Sequence, residues 1–322
     1  YIDLGLKEKY NINLKWLAWL FAFFGLFASF GIGNMVQANS VSTALNSSFG
    51  ISTVLSGIII SIAVALVIVG GIKNIGKVTD KIVPIMAIGY ILGSLFVLFN
   101  NIPMIPTAFK MIFNNAFTGK AVGGGLVGTV IRYGVARGVF SNEAGLGSAP
   151  IAHAASKNNN PVIQGIIGSL GSFIDTIVVC SMTALVILVS GIITFNKDGL
   201  MTIQNNLTGA ALTATSFNRV LPGGAYIISI GLIFFAFSTI LGWYYYGSKC
   251  LEYIAGVKAV IVYKWIFIVL CFFGSITSID LVWDLSDAFN GLMAIPNLIG
   301  LLGLSGLIFS MTKDYDNNRK YF

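Results

Sequence analysis

The chain has 322 residues, of which 56% are apolar and only 10% charged, with a mean hydropathy of +0.86. A surface of that composition cannot face water all round, which excludes an ordinary soluble domain and makes lipid the expected solvent. The net charge of +7 suggests nucleic acid or another anionic partner until its distribution along the chain is read.

Residues 1–13 are amphipathic and open on Tyr1 without the basic, apolar and small-residue order of a cleavable signal, so they read as an internal start. Apolar stretches long enough to cross ~30 Å of hydrocarbon then follow. They lie near 14–38, 51–70, 82–100, 123–156, 161–191, 222–247, 259–279 and 284–311. The expected fold class is an all-α polytopic membrane protein, one domain over 1–322, with about eight transmembrane helices, one of them broken near 138–148. Thirteen lysines and arginines, among them Lys7, Lys77, Lys258 and Lys313, fall on one side of these spans, against Lys110, Lys120, Lys197 and Arg219 on the other. The positive-inside rule then places both termini in the cytoplasm, with the chain multi-pass in the plasma membrane, and accounts for the charge without nucleic acid. Cys180, Cys250 and Cys271 stand in or beside apolar segments with no metal-ligand spacing and read as small hydrophobes.

In the first span, Asn34-Met-Val-Gln37-Ala-Asn39-Ser is too polar for a lipid-facing end. Gln37 can hydrogen-bond a ligand carboxylate or amine in a pocket, or mark a polar helix terminus near the headgroups. The stretch 123–157 should break in its middle. Gly138, Gly145, Gly147 and Pro150 weaken i→i−4 bonding, and Ser141, Asn142 and Glu143 compete for backbone groups. Irregular backbone at membrane depth is tolerated where it lines a cavity, and in secondary transporters such breaks hold the ligand site. Phe140 can close over a substrate while Ser141 and Asn142 meet its amino group, or the polar pair can cap the second half-helix.

Asp175 falls at the middle of 161–191, and its plain reading is a structural charge pair with Arg132 or Arg137. The sharper reading is a coupling carboxylate for an ion or proton, and Glu143 is open to the same two readings. In 222–247, Ser238 and Thr239 lie among phenylalanines. With the carbonyl of Phe235 their hydroxyls suit a hard cation such as sodium, or they bond back to i−4 carbonyls. Trp243, one turn beyond Thr239, either walls a small side-chain pocket or anchors at headgroup level. His153, the lone histidine, has no second ligand at metal spacing.

Arg132 to Ser156, RYGVARGVFSNEAGLGSAPIAHAAS, resembles the signature of the alanine or glycine:cation symporter family. The likeness extends through FGIGNMVQANS (30–40), GGIKNIGKVTDKIVP (70–84), FIDTIVVCSMTALVIL (173–188), FAFSTILGWYYYG (235–247) and SIDLVWDLSDAFNGLMAIPNLIGLL (278–302). It implies the inverted-repeat fold of two five-helix halves, only partly present here, because family members carry preceding helices that include a broken partner of 123–156. It also implies a secondary active carrier importing alanine or glycine with sodium. It favours Gln37, Phe140, Ser141, Asn142, Thr239 and Trp243 for substrate, and Phe235, Ser238 and Thr239 for sodium. No cofactor beyond the coupling ion is expected. A proton-coupled carrier is the alternative, and a channel a weaker one, since no repeated filter is present. Neither HExxH nor GxSxG occurs, which argues against an enzyme.

Overall fold

Caps, glycines and prolines set most helix ends in the computed structural model, which describes residues 1–116, 127–195, 201–204, 207–277 and 280–319. The short amphipathic α1 (Ile2–Tyr10) stops at Asn11 in the left-handed region, φ 55°. α2 (Lys15–Phe30) passes through one wide π turn (31–35) into α3 (Val36–Phe49), which ends at Gly50, φ 67°. The Ser52 hydroxyl accepts the Leu55 amide to cap α4 (Thr53–Ile68). α5 (Gly71–Asn100) contains Pro84, and α6 (Ile105–Ala116) follows.

The interrupted span is α7 (Val127–Asn142) and α8 (Ala149–His153). Next, Asn160 accepts from the amides of Val162 and Ile163 and Pro161 takes the first turn, which fixes the start of α9 (Pro161–Phe173). A second π turn, 174–180, leads into α10 (Ser181–Val189). A two-stranded antiparallel ribbon, β1 (Ile193–Phe195) and β2 (Met201–Ile203), precedes α11 (Gly209–Val220). α12 (Gly224–Ala255) is bounded by Gly223 and Gly256, both at positive φ, and α13 (Val257–Ile276) and α14 (Asp280–Arg319) complete the chain.

Six helical stretches, 15–49, 71–100, 161–189, 224–255, 257–276 and 282–317, are long and apolar enough to cross a membrane, and α4 is a shorter apolar one. This is the all-α polytopic membrane protein expected. The span placed at 14–38 runs on to Phe49, because its polar end is buried against α13: Ser42 is buried and donates to Ser275 O at 2.8 Å, and Asn39 donates to Gly274 O. The span placed at 82–100 begins at Gly71, its lysines riding on the first turns.

α12 is the central helix, packed against α2, α3, α5, α11 and α13, while α14 lies on α2 and α1. Small side chains such as Ala28, Ser29, Ala38 and Ser42 are inaccessible at the helix contacts, beside large buried ones such as Phe217, Phe267 and Tyr263. Large apolar ones such as Leu66, Ile85, Leu302 and Phe309 point outward, the inside-out pattern of a bundle that lipid surrounds.

Candidate functional site

At the C-terminal end of α7 the helix stops because Glu143 turns left-handed, φ 55°, and Gly145 and Gly147 follow at φ 82° and 87°. The Asn142 carboxamide oxygen accepts the Ala144 amide at 2.9 Å, and the Ser148 hydroxyl donates to the Glu143 carboxylate at 2.6 Å. The loop is pinned from outside as well. Asn297 of α14 donates to Gly145 O at 2.8 Å, and a Cβ on Gly147 would meet Phe21 at 2.6 Å and Asn297 at 2.8 Å. Tyr1 in turn donates its phenol to Asn297. Burial, and to a lesser degree the neighbouring Cys250, push that phenol upward from its ordinary value, which keeps it a donor.

Trp243 faces this break from α12. It is 2% exposed, so it is no headgroup anchor. Its Cβ occupies the space a side chain on Gly33 would need, and its indole reaches the Glu143 carboxylate and lies edge-on to Tyr246. Gly33 belongs to the π turn between α2 and α3, where Asn34 donates to Phe267 O at 2.7 Å while its own buried carboxamide oxygen has no hydrogen-bond partner among the described residues. Gln37 donates to Ile32 O at 3.1 Å, five residues back, taking a backbone acceptor that the wide turn frees.

One turn before Trp243, Ser238 and Thr239 both donate to the carbonyl of Phe235, each at 2.9 Å. The back-bonded arrangement and the oxygen cluster are therefore the same object. Three oxygens converge on one point, and two of them can turn their lone pairs toward a cation if the hydroxyl protons swing away.

The expected link between Asp175 and Arg137 is replaced. Arg137 lies one turn before Ser141 and turns instead toward α14, where it pairs with Asp287 and lies over the rings of Trp283 (4.7 Å) and Phe140 (5.4 Å). Phe140 stacks on Trp283, centroids 5.1 Å apart. Asp175 accepts the Ser141 hydroxyl at 2.7 Å, and Asn142 donates to Thr176 at 2.9 Å, so the end of α7 is tied to the π turn 174–180. The side chain of Arg132 lies outside the described residues.

Ser141, Asp175 and Phe235 also line a cavity of about 380 Å³, together with Ser40, Tyr90, Cys180, Thr183 and Thr213. Sequence reasoning did not assign those five to a site, because they come from four separate helical stretches and only packing brings them to one wall. The expected residues thus fall in two adjoining places. Trp243 stands at the break, Phe235, Ser141 and Asp175 at the cavity, and Gln37 lies one turn from Ser40. His153 bonds Gln164 at 2.6 Å, and no group of three metal-ligating side chains occurs among the described residues.

A family model described as the sodium:alanine symporter family matches residues 1–321. The sodium/alanine symporter AgcS of Methanococcus maripaludis is 53% identical over 306 residues, covering 95% of this chain and 66% of that protein. The probable sodium/glutamine symporter GlnT of Bacillus subtilis is 38% identical over 313 residues, covering 96% and 63%. The sodium/proton-dependent alanine carrier protein of Bacillus sp. strain PS3 is 32% identical over 295 residues, covering 88% and 66%. The chain spans about two thirds of the length of these relatives.

Proposed function

The chain belongs to the sodium:alanine symporter family, and from that premise we propose that it carries a small neutral amino acid, alanine or glycine, inward across the cytoplasmic membrane on the sodium gradient. The observation that carries this reading is the broken helix, whose loop 143–148 turns through three left-handed residues with Trp243 set against it. A loop of this kind offers unpaired backbone groups to an amino acid's two charged ends. A buried indole at the pocket wall would limit the substrate to a small side chain. Phe140, Ser141, Asn142, Gln37 and Thr239 then contribute to the substrate side, and Phe235, Ser238 and Thr239 supply sodium's oxygens.

Proton coupling is a second reading, supported by Glu143. Its carboxylate stands at the break with hydroxyl and indole partners, and among the described residues no cation pairs with it. Uptake of radiolabelled alanine into proteoliposomes separates the two. The sodium reading expects uptake that follows an imposed sodium gradient and saturates with alanine. Uptake driven by a pH gradient in sodium-free buffer would replace it with the proton reading, and non-saturable flux would sink both.

A further inference from the structure

The cavity beside α7 contains a carboxylate that no cation pairs with among the described residues. Asp175 is half-buried at the middle of a membrane span, and the ion pairs among the described residues are Arg137 with Asp287 and Lys249 with Glu252. An ionised carboxylate at that depth is costly unless something positive meets it.

Around Asp175 the cavity wall offers neutral oxygens. Ser141 donates to one carboxylate oxygen at 2.7 Å, and the Tyr90 and Thr183 hydroxyls, which also line the cavity, bond each other. Ser40 and Thr213 add further hydroxyls, and Val179, Ile228, Leu232 and Phe235 supply the apolar part of the wall. One negative charge and several hydroxyls match a small monovalent cation. They do not match an anion, and no group of metal-ligating side chains that would select a transition ion occurs among the described residues.

We propose that the Asp175 cavity is a small-cation site separate from the oxygen cluster at Phe235, Ser238 and Thr239, with Asp175 as its charged ligand. This rests on the sodium-coupled amino-acid reading, which supplies two cations of the right kind, free sodium and the ammonium group of the substrate. Because Ser141 is the last turn of α7 before the break, filling the cavity reports directly on the loop through the Ser141–Asp175 bond. The site thereby links ion or ammonium occupancy to the geometry of residues 143–148.

Cys180 makes the proposal measurable. Its thiol is exposed on the cavity wall, 3.5 Å from the Ser141 hydroxyl, while Cys250 and Cys271 are buried. In the full-length protein, N-ethylmaleimide should modify Cys180 more slowly in sodium than in choline if sodium fills the cavity. Protection by alanine without sodium identifies the ammonium instead. Asp175→Asn should raise the half-protecting concentration at least about tenfold, equivalent to ~1.4 kcal/mol, and Asp175→Glu should restore most of it. Equal Cys180 reactivity under sodium, alanine and choline overturns the proposal, whatever the fate of the variants, and so does unchanged protection in a folded Asp175→Asn. Sodium-driven alanine uptake by the unmodified protein in the same vesicles reports separately on the transport reading, so a failed cavity and a failed function are told apart.

Discussion

Trp243 shows how a single side chain can be legible in type but not in place. The tryptophan followed by three tyrosines reads equally well as a headgroup belt, and only the contact with Gly33 in another helix puts the indole inside. If it walls the substrate pocket, Trp243→Leu should admit larger amino acids, a discrimination of ~1–3 kcal/mol per methylene, measured as competition by valine and leucine for alanine uptake. The hydroxyl pair was legible as oxygen at depth, but its sharing of one carbonyl was not, because that depends on rotamers. Replacing both Ser238 and Thr239 by alanine should raise the sodium concentration for half-maximal uptake about tenfold, at ~1 kcal/mol or more per lost ligand. Unchanged sodium dependence would leave them as back-bonded helix residues. Gly147 is tighter still. Gly147→Ala combines a left-handed backbone, ~1–2 kcal/mol, with overlap on Phe21 and Asn297, and should lower the midpoint of thermal unfolding in detergent by several degrees.

At the scale of elements, the break in the fourth span was readable because Gly145, Gly147 and Pro150 each act on the backbone locally. The two π turns were not. Residues 31–35 contain two glycines that sit as easily in a helical packing face, and 174–180 has neither glycine nor proline, so only contacts with other helices reveal the widened bonding. Asp175 escaped for a related reason. Charge suggested an arginine partner, but the direction of Arg137 is set by Trp283 and Asp287 on α14, a helix distant in sequence. The same helix supplies the peg of the loop. Asn297 accepts from Tyr1 and donates to Gly145 O, so it joins the surface helix α1 to the break. Asn297→Asp keeps the acceptor for Tyr1 and loses the donor to Gly145. It should speed amide exchange across residues 143–148 by roughly the factor that ~1–3 kcal/mol implies, while α1 remains docked. Exchange unchanged at the loop would mean that packing of Gly147 alone holds it.

Across the whole molecule, the membrane-spanning character was legible from length and hydropathy, which lipid thickness enforces, although six helices among the described residues reach that length where about eight were expected. Their ends were not, since polar residues such as Asn39 and Ser42 stay helical wherever a neighbouring helix receives their hydrogen bonds. The orientation drawn from the lysines remains to be measured. In a chain with Cys180 replaced by serine, a cysteine at the exposed Ser47 should react with an impermeant thiol reagent from outside the cell, and cysteines at Lys77 and Lys313 should not. The reverse pattern would invert the protein in the membrane. Helix length carries a consequence of its own. α4 has 16 residues, about 24 Å, and its neighbour α12 has 32, about 48 Å, yet both meet the same hydrocarbon layer of ~30 Å. The longer helix must lean or stand proud, and the layer must pinch toward the shorter one, each ångström of mismatch costing a fraction of a kcal/mol. The surrounding acyl chains therefore press unequally around the protein's circumference. Any motion that changes the lean of α12 against α4 is loaded by that elastic strain, so lipid tail length should tune the turnover rate even where no lipid touches the site.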